Sequence, residues 1–432
     1  MSVTHRTLGV AEETTFGSLS PTTNLPIPAA SYVSIPCEMD PILIYGEPVA
    51  SERNDARDGN YFNQPEPDTV YNSNGDRVRR RTGQVQLRVD LTTIGTAANT
   101  YDANYLGYLL NGGFLNRTSG VTSATVATIT DVNSFTVSSG APTASDVGTL
   151  ISTILNGKVE YSAITDDSDA SSDITVSPAF SAGFTGTPTI RGTQTYYPGS
   201  RTFTGTYTNS LTFRVDGVNF RSYAYGCVLE SLAISLDNGR LMGDFTYQSA
   251  CIQDDHGNAV GPIEPLYNTG APPFFRNSYV VVSDAAPSSR VNATTGDKLG
   301  RIELDCEDFS LTVTNTLTPL GNSESILAMS NMDISGVDVE LSLTLSTVNT
   351  TIADDYFNKT LRQVLIGTGP SGDGEGCAIM LPAAMLTNDP SAYDVSGNDI
   401  VRQTLTYKQA RYAGDVSEVN AANSPFRLAL GI

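Results

Sequence analysis

Two stretches of the chain alternate strictly between apolar and polar positions and then give way to a short helical pattern. The first reads GQVQLRVDLTTIGTAANTYDANYLGYLLNGG from Gly83, the second GVDVELSLTLSTVNTTIADDYFNKTLRQVLIGTG from Gly336. A period of two puts Val85, Leu87 and Val89 on one face of a strand and Gln86, Arg88 and Asp90 on the other. Val339, Leu341 and Leu343 stand against Glu340, Ser342 and Thr344 in the same way. The spacing then predicts helices over residues 101–110 and 354–365. Each opens on a pair resembling a capping box (Asn99 with Asp102, Thr351 with Asp354) and closes at a glycine, Gly112 or Gly367, where a left-handed cap is expected.

These two stretches belong to a longer internal repeat. Val85, Leu87, Val89 and Leu91 answer to Val339, Leu341, Leu343 and Leu345; Tyr101, Leu106, Leu109 and Leu110 answer to Tyr356, Leu361, Val364 and Leu365. Upstream, IPCEMDPILI matches LDCEDFSLTV, aligning Cys37 with Cys306 and Glu38 with Glu307. Downstream, Gly226-Cys227 matches Gly376-Cys377, and TYQSA matches TYKQA. The matches keep one order in both halves, which identifies a duplicated domain. Residues 1–30 read as an N-terminal arm, 31–115 with 193–253 as the first copy, and 296–432 as the second. Residues 116–192 interrupt the first copy with short strand-like runs (ATVATI, SFTVSS, GTLIST, GKVEYSAI, DITVSP), the pattern of a small β-barrel or sandwich. Residues 254–295, rich in Pro and Gly, read as an ordered linker. The fold class is mainly β: two duplicated β-sandwich or barrel domains, each with one short α-helix, plus the inserted β-domain.

Composition agrees. The chain is 39% hydrophobic and only 16% charged, with Thr, Ser, Asn and Gly at the polar positions, which suits strands and turns. A formal charge of −21 opposes binding to nucleic acid through clustered cations. Five scattered cysteines without a CxxC pair argue against a disulfide framework and for a reducing cytoplasm. The opening MSVTHRTLGVAEETTFGS lacks the apolar core of a secretory leader, and no apolar run is long enough to span a bilayer.

Catalytic readings fare poorly. The two histidines, His5 and His256, sit in no pattern that would serve a Ser or Cys nucleophile. The acid pairs Asp166/Asp167 and Asp254/Asp255 fall in turns, and Asp354/Asp355 in a helix first turn, where carboxylates favour the dipole. GTGPSGDGEG has the glycines of a phosphate loop without its GK[ST] ending. No enzyme and no cofactor are expected. One basic run, RVRRR from Arg77, is read either as pairing with a neighbouring subunit's carboxylates or as solvated.

The ending GCAIMLPAAMLTNDPSAYDVSGNDIVRQTLTYKQARY...NSPFRLALGI, the opening LGVAEETTFGS and the Ser/Thr-rich insert resemble the major tail tube proteins of long-tailed bacteriophages across nearly the whole chain. The resemblance implies tube domains in six-fold rings whose inner sheets join into one β-barrel. With two domains fused in one chain, it implies trimeric, pseudo-hexameric rings stacked into a tube. It also implies other tail proteins at the tube ends, DNA passing through the lumen without specific binding, manufacture in the host cytoplasm and residence in the virion tail. The rival readings are another phage structural protein (minor tail, tail terminator or capsid decoration) and a β-sandwich surface adhesin. Two long loops, residues 46–80 and 315–335, are expected between strands. In the first, Glu52, Asp55, Asp58, Arg77, Arg79, Arg80 and Arg81 are the candidates for contacts between rings. Gln86, Arg88, Asp90, Asp308, Ser310, Glu340, Ser342 and Thr344 are the candidates for the lumen.

Overall fold

The computed structural model describes residues 7–13, 16–17, 32–37, 42–45, 50–53, 64–67, 69–71, 77–79, 82–91, 105–118, 121, 123–140, 142–168, 173–198, 210–217, 221–255, 278–284, 301–321, 329–349, 352–368, 376–390, 393–395, 401–410 and 424–430. It is mainly β.

The chain opens with β1 (Thr7–Glu12), β2 (Val33–Ile35) and β3 (Ile42–Tyr45). Short β4 (Ala50–Arg53), β5 (Gln64–Pro67), β6 (Thr69–Tyr71) and β7 (Arg77–Arg79) follow, then β8 (Gly83–Asp90), α1 (Tyr105–Asn111) and β9 (Leu115–Thr118). The insert holds β10 (Ala124–Asp131), β11 (Ser134–Val137), β12 (Leu150–Leu155), β13 (Lys158–Ser168), β14 (Asp173–Ser177) and β15 (Thr189–Gly192). The first half resumes with β16 (Gln194–Tyr197), β17 (Leu211–Asp216), β18 (Arg221–Asp237), β19 (Arg240–Ser249) and β20 (Cys251–Asp255). The second half runs β21 (Tyr279–Asp284), β22 (Ile302–Leu304), β23 (Cys306–Gly321), β24 (Met329–Leu345), α2 (Ala353–Asn358), β25 (Leu361–Thr368), β26 (Cys377–Leu386), β27 (Tyr393–Val395), β28 (Val401–Gln409) and β29 (Arg427–Leu430).

Strand registers map one half onto the other. In the first half one row runs Leu43–Val85–Tyr247–Leu229 across β3, β8, β19 and β18. In the second it runs Leu311–Leu341–Tyr407–Leu386 across β23, β24, β28 and β26. A second row crosses the other sheet of each half: Ile35–Leu8–Val215–Ser222–Asp254 over β2, β1, β17, β18 and β20. Its counterpart is Leu304–Val280–Ile366–Ile379–Leu428 over β22, β21, β25, β26 and β29. β18 and β26 are long enough to serve both sheets of their halves. β18 turns between them near Gly226, whose φ of +60 is a glycine conformation and whose missing Cβ admits the ring of Phe16. The apolar faces of β1, β2, β8, β17 to β26, β28 and β29 form one continuous core.

The registers revise several sequence-level matches. Val85 corresponds to Leu341, not Val339: an even slip keeps the face, so alternation cannot detect it. Cys227 opposes Leu211, and the equivalent pair is Ala384 opposite Arg362. Cys377 instead starts its strand opposite Thr368, so the two Gly-Cys pairs are not equivalent. α2 is shorter than expected. It ends at Lys359, a left-handed residue with φ 52, its N-cap Ile352 makes no side-chain cap, and LRQVLIGT is strand β25. That segment is buried on both faces, with Val364 and Ile366 in the main core and Leu365 in a second cluster. A two-sided apolar run has no period to separate helix from strand. Gly367 therefore caps nothing; it lies under the ring of Tyr279, 2.4 Å from where its Cβ would be. Gly112, likewise, is not left-handed but packs beneath Leu211 and Tyr247. Asn99, Asp102 and Thr351 lie outside the described residues.

Element limits shift too. β1, within the expected arm, is a strand of the first half, and β21, within the expected linker, is one of the second. Residues 46–80 contain two hairpins, β4–β5 and β6–β7. Residues 315–335 are mostly not loop: β23 and β24 stay paired out to Gly321 and Met329. The hairpin carries Met329, Met332 and Ile334 onto Val228, Ala250 and Cys251 of the first half.

The insert is a closed six-stranded barrel, β10-β11-β14-β13-β12-β15. Phe135, Phe180 and Phe184 fill its core, with ring centroids 5.1 Å apart for Phe135–Phe184 and 4.7 Å for Phe180–Phe184. Its outer side packs on the second half, burying Leu150, Val159, Tyr161 and Ala163 against Tyr279, Val281, Leu365 and Met380.

Candidate assembly surface

The two halves are joined edge to edge. Ser231 to Ser235 of β18 pair antiparallel with Thr314 to Ser310 of β23, so the sheet continues β3-β8-β19-β18-β23-β24-β28-β27. Its apolar face is core. Its other face is polar, because each strand contributes the alternate positions, and pairing keeps those positions in rows. One row reads Arg88–Asp244–Ala233–Thr312–Glu340–Lys408. The next toward one end runs Asp90–Met242–Ser235–Ser310–Ser342–Thr406, its one apolar member, Met242, being buried, and beyond it Asp308 opposes Thr344. All eight residues expected to share a face (Gln86, Arg88, Asp90, Asp308, Ser310, Glu340, Ser342, Thr344) therefore lie on this one face, although they come from three strands in two halves.

Cations on this face are matched by acids. The described stretch carries four: Arg88, 3.3 Å from Asp237 and 3.5 Å from Asp244; Arg240, 3.5 Å from Asp90; Arg402, 2.6 Å from Glu307; and Lys408, 2.8 Å from Asp338. The hydrogen bond and charge of Asp338 raise the Lys408 pKa, holding it cationic. Asp308 and Glu340 add further negative charge, so carboxylates exceed cations. Of these, Arg240, Arg402 and Lys408, with Glu307 and Asp338, lie outside the candidates that the sequence offers, whereas Asp90 is one of them. Their signal was present in the alternation of the two Thr-Tyr strands, but only the register pairs them.

The contact candidates in residues 46–80 are not gathered into one element. Glu52 lies on β4, and Arg77 and Arg79 on β7, in separate hairpins. Asp55, Asp58, Arg80 and Arg81 lie outside the described residues. Among the described residues, no group of three or more His, Cys, Asp or Glu is arranged to hold a metal, and no helix is long and apolar enough to cross a membrane.

Buried charge at the helices and at β1 is structural in its geometry. Glu13 follows β1 and accepts hydrogen bonds from Gly17 N, Ser210 Oγ, Thr212 Oγ1 and Gly226 N at 2.5–2.9 Å. Burial raises its pKa, and these donors offset only part of the rise. Arg362 of β25 grips both carboxylate oxygens of Asp355 in α2, each at 2.8 Å, and also meets Asp284.

No protein-family model matches the chain, and comparison with curated proteins finds no match.

Proposed function

We propose that this chain is the major tail tube protein of a long-tailed bacteriophage, polymerising into stacked rings that form a conduit for DNA. The observation that carries the reading is the β18–β23 junction between two equivalent halves. A unit that pairs with its own duplicate through a sheet edge has the geometry to pair again with the next chain, and repetition with rotation closes a ring. Two units per chain make three chains a six-unit ring. In this reading the polar face of the joined sheet lines the bore. Its acid excess, with each cation beside a carboxylate, repels phosphate and lets DNA pass without sticking. Rings stack through the hairpins of residues 46–80, with Arg77 and Arg79 on one and Glu52 on the other as candidate contacts. Other tail proteins cover the tube ends, and the chain is made in the host cytoplasm before joining the virion. The reading requires no cofactor.

Negative-stain microscopy of the purified protein tests this directly. Rings or tubes with an open centre are expected, and native mass measurement of isolated rings should return three chains. A monodisperse monomer at high concentration would overturn the assembly reading; six chains per ring would overturn the stoichiometry.

A further inference from the structure

The joined sheet ends on two edges that, among the described residues, have no strand beyond them: β3 at one side and β27 at the other. The duplication says what each edge is. Leu43 and Leu311 hold the same place, each one strand from the Val85 or Leu341 position, so β3 is the counterpart of β23. Ile234 faces Gly243 on β19, and Tyr393 faces Gln403 on β28, four residues before Tyr247 and Tyr407 respectively. β27 is therefore the counterpart of the end of β18. The edges left open at the two margins are the counterparts of the two edges that already meet inside the chain, β18 and β23.

From this we infer that β27 of one copy pairs antiparallel with β3 of a second copy in the register the internal junction dictates. Ile234 opposes Leu311 and Ser235 opposes Ser310 within the chain. Transferred through the duplication, Tyr393 opposes Leu43, and Asp394 opposes Ile42, of the neighbouring copy. The contact is heterologous, since β27 meets β3 and never itself, so it propagates rather than ending at a two-fold dimer. Backbone donors and acceptors that meet no strand among the described residues line both edges and supply the drive, as at any open sheet edge. The inference rests on the assembly reading for the fact that copies associate, and adds which strands meet and in what register.

Directly opposed residues in antiparallel strands stand close enough for a disulfide. The chain carrying Leu43→Cys with Tyr393→Cys, oxidised after assembly, should give covalent dimers and higher multiples on a denaturing gel, stopping at the number of chains per ring. Ile44→Cys with Tyr393→Cys puts the two thiols on opposite faces and should give monomer. Native Cys37 and Cys306, whose thiols burial pushes up to about 12, stay protonated and leave the unmodified chain as a clean control. Cross-linking of the Ile44 variant, or none by the Leu43 variant in rings seen by microscopy, would overturn the register while leaving the assembly reading intact. A chain that forms no assemblies overturns both. Hydrogen exchange on the unmodified protein is independent of the cysteines: amides of residues 42–45 and 393–395 should gain protection on assembly, and unchanged exchange there would also overturn the pairing.

Discussion

Tyr247 donates its phenolic hydrogen to the carbonyl of Leu109, 2.7 Å away in α1. Tyr407 holds the matching place in the second half, yet its buried hydroxyl has no hydrogen-bond partner among the described residues. The duplication thus kept the ring and lost the bond, because the helices are differently seated: α1 packs on β1 and β2, and α2 on β26. Tyr247→Phe should destabilise the protein by about 1 kcal/mol, leaving the Leu109 carbonyl unpaired, whereas Tyr407→Phe should be neutral or stabilising. Denaturant midpoints of the two variants check this; equal losses would contradict it.

The insert is expected to behave as part of the fold, because its barrel packs on the second half. Ser177 donates to Gln363 Oε1 at 2.6 Å, and Gln363 Nε2 returns a bond to the Ser177 carbonyl at 3.1 Å. Deleting residues 117–192 would expose Val281, Leu365 and Met380, so the truncated chain should aggregate on expression. Gln363→Ala alone should cost about 1–3 kcal/mol. Full solubility of the deletion would show that this seam is dispensable.

Arg362 should be indispensable to α2. Arg362→Ala leaves Asp355 buried without its bidentate partner, for an expected loss of about 3–5 kcal/mol. Arg362→Leu, the residue type of its counterpart Leu211, combined with Asp355→Ala should recover more than half of that loss. Thermal unfolding of the three proteins measures it, and a double variant no better than Arg362→Ala would refute the pairing account.

Glu13 predicts a pH dependence. Its folded pKa lies above the unfolded value through burial, so folding favours the protonated form. That contribution is complete below the ordinary carboxylate range and is lost as pH rises through the folded value. Glu13→Gln cannot titrate, so the stability difference between it and the natural chain should shift in favour of the variant as pH rises through and above the ordinary carboxylate range, on top of a constant cost for turning its amide NH2 toward one pair of donors. A stability gap independent of pH would exclude Glu13 as the source.

If the polar face lines the bore, cations placed there should make it adhesive. Asp308→Lys with Glu340→Lys should give assemblies that retain DNA at low salt and release it as salt rises. Absence of any retention by intact tubes would put that face elsewhere.

Much of the fold was legible because strand alternation is written residue by residue. VQLRVDL and VELSLTL each state which face is core, and the TYQSA and TYKQA motifs mark equivalent strands. Alternation also sorts the eight polar positions strand by strand, and the pairing of β8, β19, β18, β23 and β24 is what brings them onto one face. What could not be read is how far each strand slides. Val85 answers to Leu341 only once Tyr247 and Tyr407 are seen opposite them, because sliding by two leaves every side chain facing the same way. LRQVL, the start of β25, reads as the end of a helix because both of its faces are covered, one by the core and one by the insert, and a segment covered twice loses its period.

The sequence by itself determined a mainly β chain, its duplication, an inserted β-domain and the polarity of each strand face, since those follow from local periodicity and from matching segments. Tertiary structure alone decided that β18 pairs with β23, that Arg88 meets Asp237 and Asp244, that the insert of one half docks on the other, and that Glu13 is enclosed by donors from Ser210, Thr212 and Gly226. Each joins residues far apart in the chain through backbone pairing or packing, and such pairing is chosen by the fit of whole surfaces rather than by any local run of residues.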